Sequence, residues 1–263
     1  MTVRIHPTAV IDPRARLADD VEIGPYVVVE GEVEFGGGCV VGAFCRFEGP
    51  VTIAEGNRFV SHASIGAPPQ DLKFKGAPTR LEIGPSNVFR EFVNLHRGTP
   101  GGGGVTRIGG QGLYMIGAHI AHDCQVGDHV IFANNGTLAG HVHVGDYVTV
   151  GALTAIHQFC NVGEHAFIGG GTIATKDILP FMKTVGSRPA RCFGPNTVGL
   201  ERRGFSEDRI RALKAAWRFL HSAKLTTTEA LARIAAELGD APDAMRLLEF
   251  IKASERGVIL ANG

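Results

Sequence analysis

The chain has no excess of either charge: 26 lysines and arginines stand against 26 aspartates and glutamates in 263 residues. That balance excludes the electrostatic footprint of a dedicated nucleic-acid binder or of a basic protein of membrane surfaces. No CxxC pair occurs among the five cysteines, and their odd number argues for reduced thiols rather than a disulfide framework. No stretch is apolar enough to span a bilayer, and the opening MTVRIHPTAV lacks the basic-then-apolar pattern of a signal peptide. A soluble cytoplasmic protein is therefore expected, without an integral membrane segment and without a nucleic-acid partner. Disorder is excluded as well: with 44% hydrophobic residues the chain can fill one large domain or two small ones, despite 36 glycines and 13 prolines.

What the sequence does have is a period of six. From Ile5 every sixth residue through Ile65 is bulky and apolar, including Ile11, Leu17, Ile23, Val29, Phe35 and Phe47. The phase resumes at Ile83, Phe89 and Leu95. Moved by one, it then runs from Ile108 through Ile120, Val126, Leu138 and Ile156 to Ile168. The residue four later is mostly small or β-branched, and the residue after the apolar one is often glycine. A helix would need a period near 3.6 and a simple strand a period of two. A strict six fits a short strand plus a corner, three such units closing one triangular coil of 18 residues. The fold class is mainly β, a parallel β-helix over residues 1–190, interrupted by loops at 71–82 and 101–107. The motif resembles the hexapeptide-repeat proteins, whose solenoid is left-handed; the handedness comes from that resemblance and not from the period.

Cys39, Cys45, Cys124 and Cys160 all fall at the small inward position of their hexads, which makes them core residues and not nucleophiles. Cys192 has no such place. The period ends after Leu179, and residues 191–263 read as a C-terminal α-helical domain. Ile210, Leu213, Trp217 and Leu220 recur at helical spacing behind Ser206 as N-cap. A capping box, Thr226 with Glu229, starts a second helix that stops at Gly239, and Asp240-Ala241-Pro242 opens a third.

Folding the repeat assembles a site. The hexads of Leu95, Ile120, Leu138 and Ile156 lie whole coils apart, so they stack on one face and bring together His96, His122, His141 and His157. Both loops leave the solenoid from the same corner, beside that column, and His119 joins it from the preceding hexad. His6, His62, His129, His143, His165 and His221 are left as surface residues. Clustered titratable groups beside loops able to exclude water are where acid–base chemistry is found. Two chemistries compete. One is metal binding on a trimeric β-helix, as in a metal-dependent hydratase of the gamma carbonic anhydrase type. The other is general-base activation of a hydroxyl. The spacing in His119-Ile120-Ala121-His122 does not match the ligand spacing of those carbonic anhydrases, so no metal and no cofactor is expected. A non-catalytic solenoid would leave the loops and histidines unexplained.

The segments QDLKF (70–74), LHRGT (95–99), IGAHIAHDC (116–124), FANNGTLAGHV (132–142), IHQFC (156–160) and GLERRGF (199–205) resemble the UDP-N-acetylglucosamine O-acyltransferases of lipid A biosynthesis. That resemblance spans nearly the whole chain and implies transfer of an R-3-hydroxyacyl group from acyl carrier protein to the 3-hydroxyl of UDP-GlcNAc. It implies His122 as general base and the Gly140 amide as oxyanion donor, without a covalent intermediate. Asp123 could orient His122, although neighbours in a strand face opposite ways, which counts against it. The resemblance further implies substrate-binding roles for Gln70, Asp71, Lys73, His96, His119, His141, His157 and Gln158. Asn196, Arg202 and Arg203 match nucleotide-binding positions, while Val198 stands where some members have Glu. Gly170 matches a position that limits acyl-chain length. A homotrimer with sites between adjacent solenoids is also implied. A 3-amino sugar nucleotide as acceptor stays open at this stage.

Overall fold

The computed structural model of the protein describes residues 2–260. Its first part is the expected left-handed parallel β-helix. Short strands alternate among three faces of 11, 9 and 8 strands, and every third strand pairs in parallel with the one below. The register is the one the period dictates: Leu95 pairs with Ile120, Ile120 with Leu138, and Leu138 with Ile156, all on the 9-stranded face.

The interior follows from the hexad. The bulky position points inward and builds a continuous stack in which Phe47, Phe59, Phe89, Tyr114 and Phe132 follow one another at centroid spacings of 4.8–5.4 Å. The small position fills the space beside it, and Cys39, Cys45, Cys124 and Cys160 are all buried there as free thiols. Burial pushes each of these thiols above its ordinary range, which leaves them un-ionised and unsuited to nucleophilic work. Tight corners force left-handed backbone even on bulky residues: Tyr26, Phe44, Asp123, His141 and Phe159 all have φ between 55° and 63°. Each such residue costs about 1 kcal/mol. The coil-to-coil ladder supplies the hydrogen bonds that hold it there.

The two loops leave the 9-stranded face and re-enter on the 8-stranded face, through strands Arg80–Ile83 and Val105–Ile108, which pair with each other. Each strand takes up the end of its interruption, so the loops proper are shorter than the break in the period.

The C-terminal region differs from the all-helical reading of 191–263. Arg191–Pro195 is a strand, antiparallel to Met182–Val185, and it finishes the 11-stranded face. Four helices follow, one more than the three apolar stripes predict: α1 (Thr197–Arg202), α2 (Glu207–Leu220), α3 (Thr227–Glu237) and α4 (Pro242–Ala253). The six-residue α1 is too short to show an apolar period. Ser206 caps α2, and the Thr226–Glu229 box caps α3 reciprocally. Cys192 finds its place here, buried in a second core with Leu200, Leu213, Leu247 and Leu248. Arg246 bound to Glu164 at 2.8 Å and Ser254 donating to Asp177 at 2.7 Å fasten the helices to the solenoid.

Candidate active site

The histidines gather at the corner between the 9- and 8-stranded faces, but their rings do not form one stack. They pair: His96 with His119 at 5.1 Å and His122 with His141 at 5.2 Å, both edge to face. His157 stands apart beside Arg256, 3.3 Å from its Nδ1. The reason lies in hexad position. His122 is the second residue after Ile120 and His141 the third after Leu138, so one coil above His122 the equivalent residue is Gly140. One coil below His141 it is Asp123.

Asp123 settles its own question against the strand argument. It is the left-handed corner residue rather than a strand residue, so its carboxylate turns back toward the preceding side chain. Its Oδ2 lies 2.8 Å from His122 Nδ1. A carboxylate only accepts, so Nδ1 carries the proton and Nε2 keeps the basic lone pair. Asp123 is itself fixed by Thr99, whose amide donates to Oδ1 at 2.7 Å and whose hydroxyl donates to Oδ2 at 2.6 Å. The second loop thus clamps the dyad. Gly102 of that loop passes so close that a Cβ there would fall 2.1 Å from the Asp123 carboxyl carbon. Thr99 was not singled out in LHRGT, and only its contact with Asp123 reveals it.

Gly140 lies against the other edge of the ring. A Cβ at Gly140 would sit 2.5 Å from His122 Cε1 and 2.8 Å from Nε2. The amides on either side are spent on the ladder, Ala139 to Ile156 and His141 to His122, and among the described residues the Gly140 amide is in no coil-to-coil bond. A basic nitrogen therefore lies beside a residue whose amide is free of the coil-to-coil ladder. His122 is partly open there, at 17% side-chain exposure, whereas Asp123 is closed at 1%.

The surrounding histidines are held neutral. Burial, with His119 and His122 adding to it, brings His96 down to about 4. Burial also lowers His119, and it lowers His141 against the opposing pull of Asp123 and Asp71. The Nδ1 of His96 is buried without a partner, and His119 Nδ1 contacts Asn94 Oδ1. These rings can donate or accept toward a polar ligand without adding charge.

Asp71 is near enough to act on His141, and its own Oδ1 accepts from the Lys73 amide at 2.9 Å. Gln70, Lys73 and Gln158 are exposed around the site with no side-chain bond to the dyad. Arg97 turns away beneath the loop and donates to Gly49 O. His122, Asp123 and His141 bring ligand atoms within 4.8 Å of one another, as a metal would require. That carboxylate accepts from Thr99 twice and from His122 Nδ1, and His141 Nε2 stands 3.6 Å from its Oδ2.

Asn196, Arg202 and Arg203 lie elsewhere on the same chain, around a cavity of about 630 Å³ on the outer side of the 11-stranded face. Its wall includes Tyr147 and His165, rings 4.7 Å apart, with the Arg203 guanidinium 4.7 Å above Tyr147. His165 reads from sequence as a surface residue, and its place in a corner column of aromatic residues brings it here. Gly170 occupies a third place, the corner between the 11- and 9-stranded faces. A further groove, about 1110 Å³ between α4 and the 8-stranded face, is lined by none of the predicted site residues.

A parallel solenoid with a His–Asp dyad beneath a bare amide, flanked by loops at one corner, defines an acyltransferase of the hexapeptide-repeat class. Comparison with known proteins narrows this. Residues 177–259 match the family model described as UDP N-acetylglucosamine O-acyltransferase, domain 2. The acyl-[acyl-carrier-protein]–UDP-N-acetylglucosamine O-acyltransferase of Stenotrophomonas maltophilia is 49% identical over 97% of both chains. That of Thiobacillus denitrificans is 49% identical over 97% of this chain and 98% of its own. Among solved structures, LpxA from Acinetobacter baumannii superposes with a TM-score of 0.93 at 42% identity, covering 97% of this chain and 99% of that one. The Francisella novicida UDP-N-acetylglucosamine acyltransferase gives 0.94 at 32%, covering 97% and 94%. The chain belongs to the UDP-N-acetylglucosamine O-acyltransferase family.

Proposed function

We propose that this enzyme transfers an R-3-hydroxyacyl chain from acyl carrier protein to the 3-hydroxyl of UDP-GlcNAc, the first step of lipid A biosynthesis, in the cytoplasm. The observation that carries the chemistry is the pairing of the His122 Nε2 edge with Gly140. A sugar hydroxyl does not ionise at neutral pH, so a base must take its proton as the oxygen attacks the thioester carbonyl. His122 Nε2 receives that proton, and Asp123 at Nδ1 stabilises the imidazolium. The carbonyl oxygen becomes an oxyanion, which the Gly140 amide binds. Collapse expels the thiolate of the carrier, and the proton on His122 leaves with it. No acyl-enzyme forms, because the thioester is already a competent electrophile.

His96, His119, Asp71, Gln70 and Lys73 bind the sugar and its phosphates, and His141, His157 and Gln158 line the acyl side. Asn196, Arg202 and Arg203 hold the nucleotide. They do so for a neighbouring subunit in a homotrimer. Two exposed apolar features support that assembly. Leu72, at the tip of the first loop, is 95% exposed. Along the corner that carries Gly170, Tyr26, Phe44, His62 and Phe92 stack outside the solenoid at 5.0–5.2 Å, and all four are exposed. An unbroken aromatic edge of this kind is what a subunit contact covers.

The test is incubation of the protein with UDP-GlcNAc and a panel of 3-hydroxyacyl carrier thioesters, with mass detection of the product. A product acylated at the sugar 3-oxygen is expected. Exclusive acylation of the 3-amino analogue would move the acceptor, and no acylation at all would overturn the reading.

A further inference from the structure

The cavity beside Arg202 and Arg203 has a second wall that neither the sequence motifs nor the family resemblance single out. Strand Met182–Val185 stacks on Phe167–Ile168 with Lys183 directly above Phe167, so both side chains leave the same outer surface of the 11-stranded face. Lys183 lines the cavity opposite α1, is exposed, and makes no ion pair or hydrogen bond with its side chain among the described residues. Among the described residues Arg202 and Arg203 are likewise without an ion pair, and the Arg203 guanidinium lies over the Tyr147 ring. No carboxylate lines this cavity. Burial and the nearby arginines bring His165 down to about 4, so the charge of the wall comes from the lysine and the two arginines alone. Three unneutralised cations around one concave space repel one another until an anion enters.

We infer that Lys183 is a further substrate-binding residue, which contacts the diphosphate of the nucleotide sugar from the strand side while Arg202 and Arg203 contact it from α1. This rests on the nucleotide reading of the cavity. A lysine is suited to the task because it serves phosphate as a compact, mobile point charge, where the arginines supply planar donors. The diphosphate then lies across the mouth between β-helix and helical region, and Phe167 and Tyr147 offer the base and ribose apolar surface beneath it.

The experiment uses the full-length protein, steady-state kinetics with UDP-GlcNAc as varied acceptor, and calorimetric binding of UDP and of uridine. Lys183→Ala should raise the KM for UDP-GlcNAc about tenfold, the size expected for losing one charge-assisted contact in a solvated site. The kcat should change less than twofold, because this group is remote from the dyad. Lys183→Arg should restore most of the affinity. UDP binding should weaken in Lys183→Ala while uridine binding does not. An unchanged KM, or equal loss for UDP and uridine, overturns the inference while the acyltransferase reading stands. Failure of the wild-type protein to acylate UDP-GlcNAc would instead sink that reading itself.

Discussion

Gly140 shows how narrowly single residues set this site. Its backbone is not left-handed, so alanine meets no conformational penalty there, and the three atoms nearest the new Cβ all belong to the His122 ring, the closest at 2.5 Å. Gly140→Ala should therefore fold with an unchanged melting temperature to within a few degrees. It should lose about 10²–10⁴ of kcat, as removal of an oriented base does. Near wild-type kcat would show that the ring has room to move and that its position is not critical. Protonation offers a second test at this scale. His96 and His165 are held at about 4 against an ordinary value near 6.5. Below the unfolded value the unfolded chain takes up protons that the folded chain refuses. Stability should thus be full above about pH 6.5 and fall as the pH drops toward 4. A His96→Gln variant should show a shallower fall in melting temperature over that window. An identical slope would mean that His96 titrates normally.

At the level of elements, the repeat was legible because its phase is strict. Ile120 and Leu138 pair where 18-residue counting puts them, and from there the sequence brings His122 beneath Gly140 without any coordinates. What counting by sixes does not carry is the sign of φ. Asp123 in a strand would point away from His122; at a left-handed corner it turns back to it, and no residue type announces that change. The outer columns were missed for a related reason. His165 looks like an isolated polar residue until the corner stacks it on Tyr147. Arg191–Pro195 escaped notice because an antiparallel strand closing the face has no hexad to follow. Gly170 carries the prediction that belongs here. At its corner a Cβ would meet only Ala152, at 3.2 Å from the carbonyl oxygen, so a longer side chain finds open space beyond. On the reading that Gly170 borders the acyl path, glycine there should leave room for a long 3-hydroxyacyl donor, about myristoyl in size, over a 3-hydroxydecanoyl one. Gly170→Met should reverse that preference, since each buried methylene is worth about 0.8 kcal/mol. An unaltered chain-length profile by mass spectrometry would refute the gate.

For the whole molecule, the dyad and the Arg203 cavity occupy different corners of one rigid prism, and a composite site between neighbours follows if both serve the same substrate. Mixed trimers of His122→Ala and Arg203→Ala subunits, each inactive alone, should regain a measurable fraction of activity. No recovery in verified heterotrimers would put both residues of a site on one chain. The coil has one more consequence, for how such a chain tolerates change in length. Each complete turn advances the axis by about one strand spacing, 4.8 Å, and restores the azimuth. An insertion of a whole turn lengthens the rod without rotating anything beyond it, whereas an insertion of one hexad swings every later residue by a third of a revolution. The two loops alter length in a third way, leaving and re-entering across one corner so that the rotation is untouched. The solenoid therefore reads insertions and deletions as angles, and the active corner survives only those whose angle is zero.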